Sequence, residues 1–100
     1  MSDRAMRLNE SSTGDAKLMI EAFRNIGYSV VVNSKTSFDV VNKNHFTVVV
    51  DLKKDGYHGV VDGPNGDIYM YHIGDTFEEL KDEIDQVDHK WMRDHDFNRY

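Results

Sequence analysis

One hundred residues, 39% hydrophobic and 30% charged, suffice for one small domain with a real core and leave no apolar run long enough to span a membrane. No cysteine excludes disulfides and thiolate chemistry, and the opening residues lack the apolar stretch of a secretory signal, so a cytoplasmic setting is expected. The net charge of −6 arises wholly between residues 75 and 96, and no basic stripe of the kind that binds phosphates directly is present, which disfavours ordinary nucleic-acid binding.

Residues 1–13 are polar and aperiodic, which predicts a flexible N-terminal arm ahead of a single α+β domain over 14–100. Ala16, Met19, Ile20, Phe23 and Ile26 recur at helical spacing, and Gly27 follows as a natural C′ residue, predicting a helix from Asp15 to Ile26. Strands are expected at 28–33, 37–42, 45–52, 57–62 and 67–73. Lys54-Asp55-Gly56 and Gly63-Pro64-Asn65-Gly66 are the turn signals between the last three. Thr76 with Glu79 three residues on forms a capping box, and Phe77, Leu80, Ile84, Val87 and Trp91 then make an apolar seam about four turns long. The expected order is α-β-β-β-β-β-α, a single antiparallel sheet of four to five strands with both helices packed on it. An exposed edge such as "SFDVVN" (37–42) offers a route to a homodimer.

The last helix is where the acids collect. Asp75, Glu78, Glu79, Asp82, Glu83, Asp85, Asp88, Asp94 and Asp96 stand against Lys81, Lys90 and Arg93. At about 100° per residue, Glu78, Asp82 and Asp85 fall almost opposite the seam and Glu79 and Glu83 on its flank. Glu78/Asp82 and Glu79/Glu83 are like-charge pairs four apart, each unfavourable by roughly 0.2–0.5 kcal/mol. The helix dipole favours only those in the first turn. A merely solvated face is the plain reading. The functional one is a surface for a partner protein with a basic patch, such as a nucleic-acid-binding protein. Nine acids over 22 residues give one per roughly 3.7 Å of helix, near the phosphate spacing of about 3.4 Å in one DNA strand.

Residues 46–88 resemble the core of HicB-type antitoxins, through Asp55-Gly56-Tyr57 opening a strand, the Gly63–Gly66 turn, and Gly74-Asp75-Thr76 with Glu79 starting the helix. The resemblance covers under half the chain. It implies a partial RNase-H-like ββ-β-α unit that acts by occluding a partner. No ribbon-helix-helix or helix-turn-helix module follows the capped helix here, so operator binding is not part of what it implies.

The expected partner-binding residues are therefore Glu78, Asp82, Asp85, Glu79 and Glu83, joined by His89 and by Tyr69 and Tyr71. Tyr57, Tyr69 and Tyr71 are expected to share a sheet face with Val61, either packed under the first helix through strand propensity or as a contact platform, tyrosine being a frequent interface anchor. His89 and His95 are six apart, not the four a helical zinc site prefers, so neither metal nor cofactor is expected. No nucleophile elbow, phosphate loop or strong carboxylate pair supports catalysis; Asp51 and Asp62 across a hairpin are the nearest approach to one. The function expected is a non-catalytic, antitoxin-like or phage-type anti-defence inhibitor. The alternative is a small RNA-processing or metabolic enzyme on an RNase-H-like or ferredoxin-like scaffold. A double-stranded-RNA reader would need lysines where this helix is acidic.

Overall fold

The computed structural model describes residues 15–96; the arm expected at 1–13 lies outside the described residues, as do positions 14 and 97–100. Helix α1 (Lys17–Asn25) buries Ile20 and Phe23 on one side. It ends in a Schellman arrangement. Gly27, at φ 97°, donates its N–H to the Arg24 carbonyl at 3.0 Å, and Tyr28 donates to the Phe23 carbonyl at 3.0 Å. The Phe23 and Tyr28 rings meet at 5.5 Å, the apolar contact that accompanies this cap.

Five antiparallel strands follow in sequence order across one sheet: β1 (Val30–Ser34), β2 (Ser37–Val41), β3 (Thr47–Lys53), β4 (Gly56–Gly63) and β5 (Gly66–Gly74). Alternation directs Phe38, Val40, Val48, Val50, Tyr57, Val61, Ile68 and Met70 to one face, where they are buried under the helices. Helix α2 (Phe77–Asp85) adds Leu80 and Ile84 to that core, and helix α3 (His89–His95) adds Met92. Phe23 joins the layers, its ring 6.2 Å from Phe38 in the sheet and 4.9 Å from Phe77 at the start of α2. The fold is thus α+β, one antiparallel sheet with helices from both ends of the sequence on one face.

Three sequence expectations change. The segment 37–42 is no edge: β2 lies between β1 and β3, and the edge strands are β1 and β5. Tyr57 and Val61 do not share a face with Tyr69 and Tyr71. The first two point into the core, while Tyr69 lies opposite Val60 on the other face. The third change is the terminal helix, which is two helices. Past Asp85, Gln86 and Val87 bond back to Glu83 and Ile84 at 3.3 Å each, a tightened last turn. Asp88 then takes an extended backbone and its carboxylate accepts the Trp91 N–H at 2.8 Å, capping a new helix.

Burial of Tyr57 has a titration consequence. Burial first, and the charge of Asp15 second, push its phenol from an ordinary 10 up to about 12. A folded pKa above the unfolded one means the neutral phenol stabilises the fold fully below pH 10, and that contribution is lost as pH rises towards about 12. The thermal midpoint is expected to fall across that interval, and Tyr57→Phe is expected to flatten the fall; a parallel decline in both proteins contradicts it.

Candidate functional site

The capping box forms as the sequence predicts. The Thr76 hydroxyl accepts the Glu79 N–H at 3.2 Å, while the Glu79 carboxylate accepts the N–H groups of Asp75 and Thr76 at 2.9 and 3.2 Å. Those two backbone donors hold the Glu79 carboxyl below its usual range. Gly74, at φ 145°, is required beside it, since a Cβ there would run into Glu79. Glu79 is thereby a capping group first and a surface charge second.

Asp85 leaves the outward face altogether. It is 7% exposed and accepts hydrogen bonds from the Tyr28 hydroxyl at 2.7 Å, the Lys81 ammonium at 3.2 Å and the Lys43 N–H at 3.3 Å. Burial, and next the Asp85 hydrogen bond, raise the Tyr28 phenol, and the bond and charge of Asp85 raise Lys81. A carboxylate so enclosed and partnered ties α2 to the loop after α1 and the turn after β2. It cannot also be offered to a partner.

The remaining acids divide just as sharply. Asp88 caps α3, Asp94 pairs with Lys90 at 2.9 Å, and Asp96 is buried, accepting from the Asn65 backbone and side chain at 3.1 and 2.9 Å. Among the described residues, Glu78, Asp82, Glu83 and the Asp75 side chain have no ion-pair or hydrogen-bond partner. Asp75, Asp82 and Glu83 line one groove of about 310 Å³ with His72 and Glu79 at the junction of β5 and α2. The even spacing of nine acids along one rod does not exist, because the rod is broken after Asp85 and five of its carboxylates are engaged. Imitation of a phosphate strand loses its geometric basis.

The tyrosines form the second feature. Tyr69 and Tyr71 are 58% and 75% exposed and stack at 6.1 Å with 26° between their planes. His58, one strand over, sits edge-on to Tyr71 at 6.1 Å and 6.4 Å from His72, and is fixed by the Asp55 carboxylate at 2.8 Å. His72 owes its position to a bulge. From Gly59 to Tyr57 β4 advances two residues while β5 advances four, from Met70 to Gly74, and His72 takes φ 48°. Simple alternation after Ile68 and Met70 would bury His72; the bulge buries Ile73 in its place. The result is a continuous row of rings, Tyr69, Tyr71, His58 and His72, that runs to the acidic groove.

His89 stands apart from both features. It begins α3, exposed, with its ring edge-on to Phe46 at 5.1 Å, beside an open groove of about 770 Å³ between the β4–β5 turn and α3. Sequence reading missed this groove, because Phe46, Pro64 and Met92 carry no local sign that they converge. Asp51 lies opposite His58 and Asp62 opposite Asp67, so the two aspartates do not face each other across the hairpin. Among the described residues, no group of three or more His, Cys, Asp or Glu side chains could hold a metal ion, and no helix is long and apolar enough to cross a membrane. The chain matches no family model, no curated protein and no solved structure.

Proposed function

We propose that this is a non-catalytic, antitoxin-like or phage-type anti-defence inhibitor that binds another protein and covers a basic surface on it. One observation carries the reading: among the described residues, the side chains of Asp75, Glu78, Asp82 and Glu83 are left without ion-pair or hydrogen-bond partners around a helix fixed at both ends. Phe23 holds its start through Phe77, and the Asp85 contacts hold its finish. Unpaired carboxylates on a rigid mount keep their mutual repulsion in the free protein, and a cationic partner relieves it on binding. The resemblance of residues 46–88 to an antitoxin core agrees with action by occlusion.

The test replaces Glu78 and Asp82 with lysine and leaves Asp85 intact, since Asp85 is structural. Capture of a basic protein from lysate is expected to fall at least about tenfold and to weaken with salt in the parent protein. Capture that is salt-insensitive and unchanged in the double variant removes the acidic helix from the mechanism.

A further inference from the structure

Among the described residues, the helices cover one face of the sheet and leave the other bare, and the bare face is neither random nor neutral. Reading across the register, Val31, Asp39, Val49, Val60 and Tyr69 form one row, and Ser37, Asp51 and His58 form the next, with Tyr71 against His58. By the same alternation Asp62 and Asp67 belong to this face, with Lys53 the one Lys or Arg there among the described strand residues. The face thus pairs exposed aromatic planes with surplus negative charge. Two stacked tyrosines that no described residue covers are unusual, and clusters of this type are where interface energy concentrates.

We infer that the bare sheet face is a docking surface for an arginine-bearing segment of the partner, with guanidinium groups lying on Tyr69 and Tyr71. This rests on the reading above, that the partner is basic, and says which basic residue is recognised and where. Charge excludes a second copy as the occupant, because face-to-face pairing would set aspartates against aspartates. Negative charge equally disfavours nucleic acid, which would otherwise suit exposed aromatic rings. What complements an anionic aromatic surface is a cation with a flat, weakly hydrated face. Arginine meets that description and lysine does not, since the guanidinium plane stacks on a ring while forking to carboxylates at its edge. The ring row continues through His58 and His72 to the acidic groove, so a single extended segment can use both features.

The experiment measures binding of the full chain to two fluorescent peptides of equal charge, one alternating arginine with glycine and one alternating lysine with glycine. The arginine peptide is expected to bind about fivefold tighter. Replacing both Tyr69 and Tyr71 with alanine should abolish that preference, and replacing both with phenylalanine should keep it; both pairs are surface changes, checked by an unaltered unfolding midpoint. Glu78→Lys with Asp82→Lys should weaken both peptides alike and leave the ratio intact. Equal binding of the two peptides, no binding of either, or a preference that survives the alanine pair overturns the proposal. A tyrosine-dependent preference together with affinities for both peptides that Glu78→Lys with Asp82→Lys leaves unchanged supports the docking surface and instead refutes the acidic-helix reading.

Discussion

Replacing Asn42 with aspartate is expected to destabilise the protein by about 3–5 kcal/mol, a large part of the total for a domain of this size. Asn42 is 3% exposed and every hydrogen-bonding site on its amide is used. Its Nδ2 donates to the carbonyls of Ile84 and Val87 at 2.8 Å each, and its Oδ1 accepts the N–H groups of Asn44 and Phe46 at 2.9 Å each. A carboxylate of the same shape keeps the two acceptor bonds but points an anionic oxygen at two carbonyls, without water to relieve it. Alanine at the same place removes the four bonds without the repulsion. It leaves the Asn44 and Phe46 N–H groups unpaired, while the Ile84 and Val87 carbonyls keep the Val87 N–H and the Asn44 side chain as donors. Its effect should therefore be smaller, about 2–4 kcal/mol. The protonated acid can donate to one of the carbonyls, so the loss in the aspartate variant should shrink at acid pH. Denaturant unfolding checks both: the midpoint should fall with little change in slope. A midpoint within about 0.5 kcal/mol of the parent would show that the turn and helix are not joined through this residue.

That joint is also the part of the structure least visible in the sequence. The seam of Phe77, Leu80, Ile84, Val87 and Trp91 reads the same whether one helix continues or a second restarts in phase, because the apolar residues go on meeting the same core. What ends α2 is remote. Asn42 and Asn44 take the carbonyls of Ile84, Asp85 and Val87 that a continuing helix would have used, across more than 40 positions of chain. The burial of Asp85 was hidden for the same reason, its partner Tyr28 being 57 residues away. Local signals fared better where the physics is local: Gly27 after α1, the strand alternation, and Thr76 with Glu79 are each settled within a few residues. Asp88 was a readable cap in principle, but the uninterrupted seam outweighed it. The bulge at His72 left no mark, since Tyr69 to Ile73 alternates as any half-buried strand would. With it went the place of His72 in the ring row; Tyr57 parts from Tyr69 for another reason, the register of the Gly63–Gly66 turn, which sets Val60 opposite Tyr69 and sends Tyr57 and Val61 to the other face.

Phe23→Ala is expected to bring a comparable or larger loss, about 3–5 kcal/mol, and to end cooperative unfolding if the parent lies near the lower limit for such domains. The side chain is wholly buried and touches three rings belonging to three elements: Tyr28 after α1, Phe38 in β2 and Phe77 at the head of α2. Truncation removes its own transfer energy and leaves a cavity that these rings cannot all move to fill, because each is anchored elsewhere. Phe23→Leu retains most of the volume, and its loss should stay near 1–2 kcal/mol. The pair separates fold from function. Because Phe77 precedes Glu78 and the Asp85 contacts fix the other end of α2, the leucine variant should keep peptide binding close to the parent's. The alanine variant should lose binding in step with its folded fraction. If instead the leucine variant unfolds like the parent but binds far more weakly, the acids need a tighter mount than packing volume supplies, and the aromatic contacts at Phe23 are themselves setting the orientation of the binding helix.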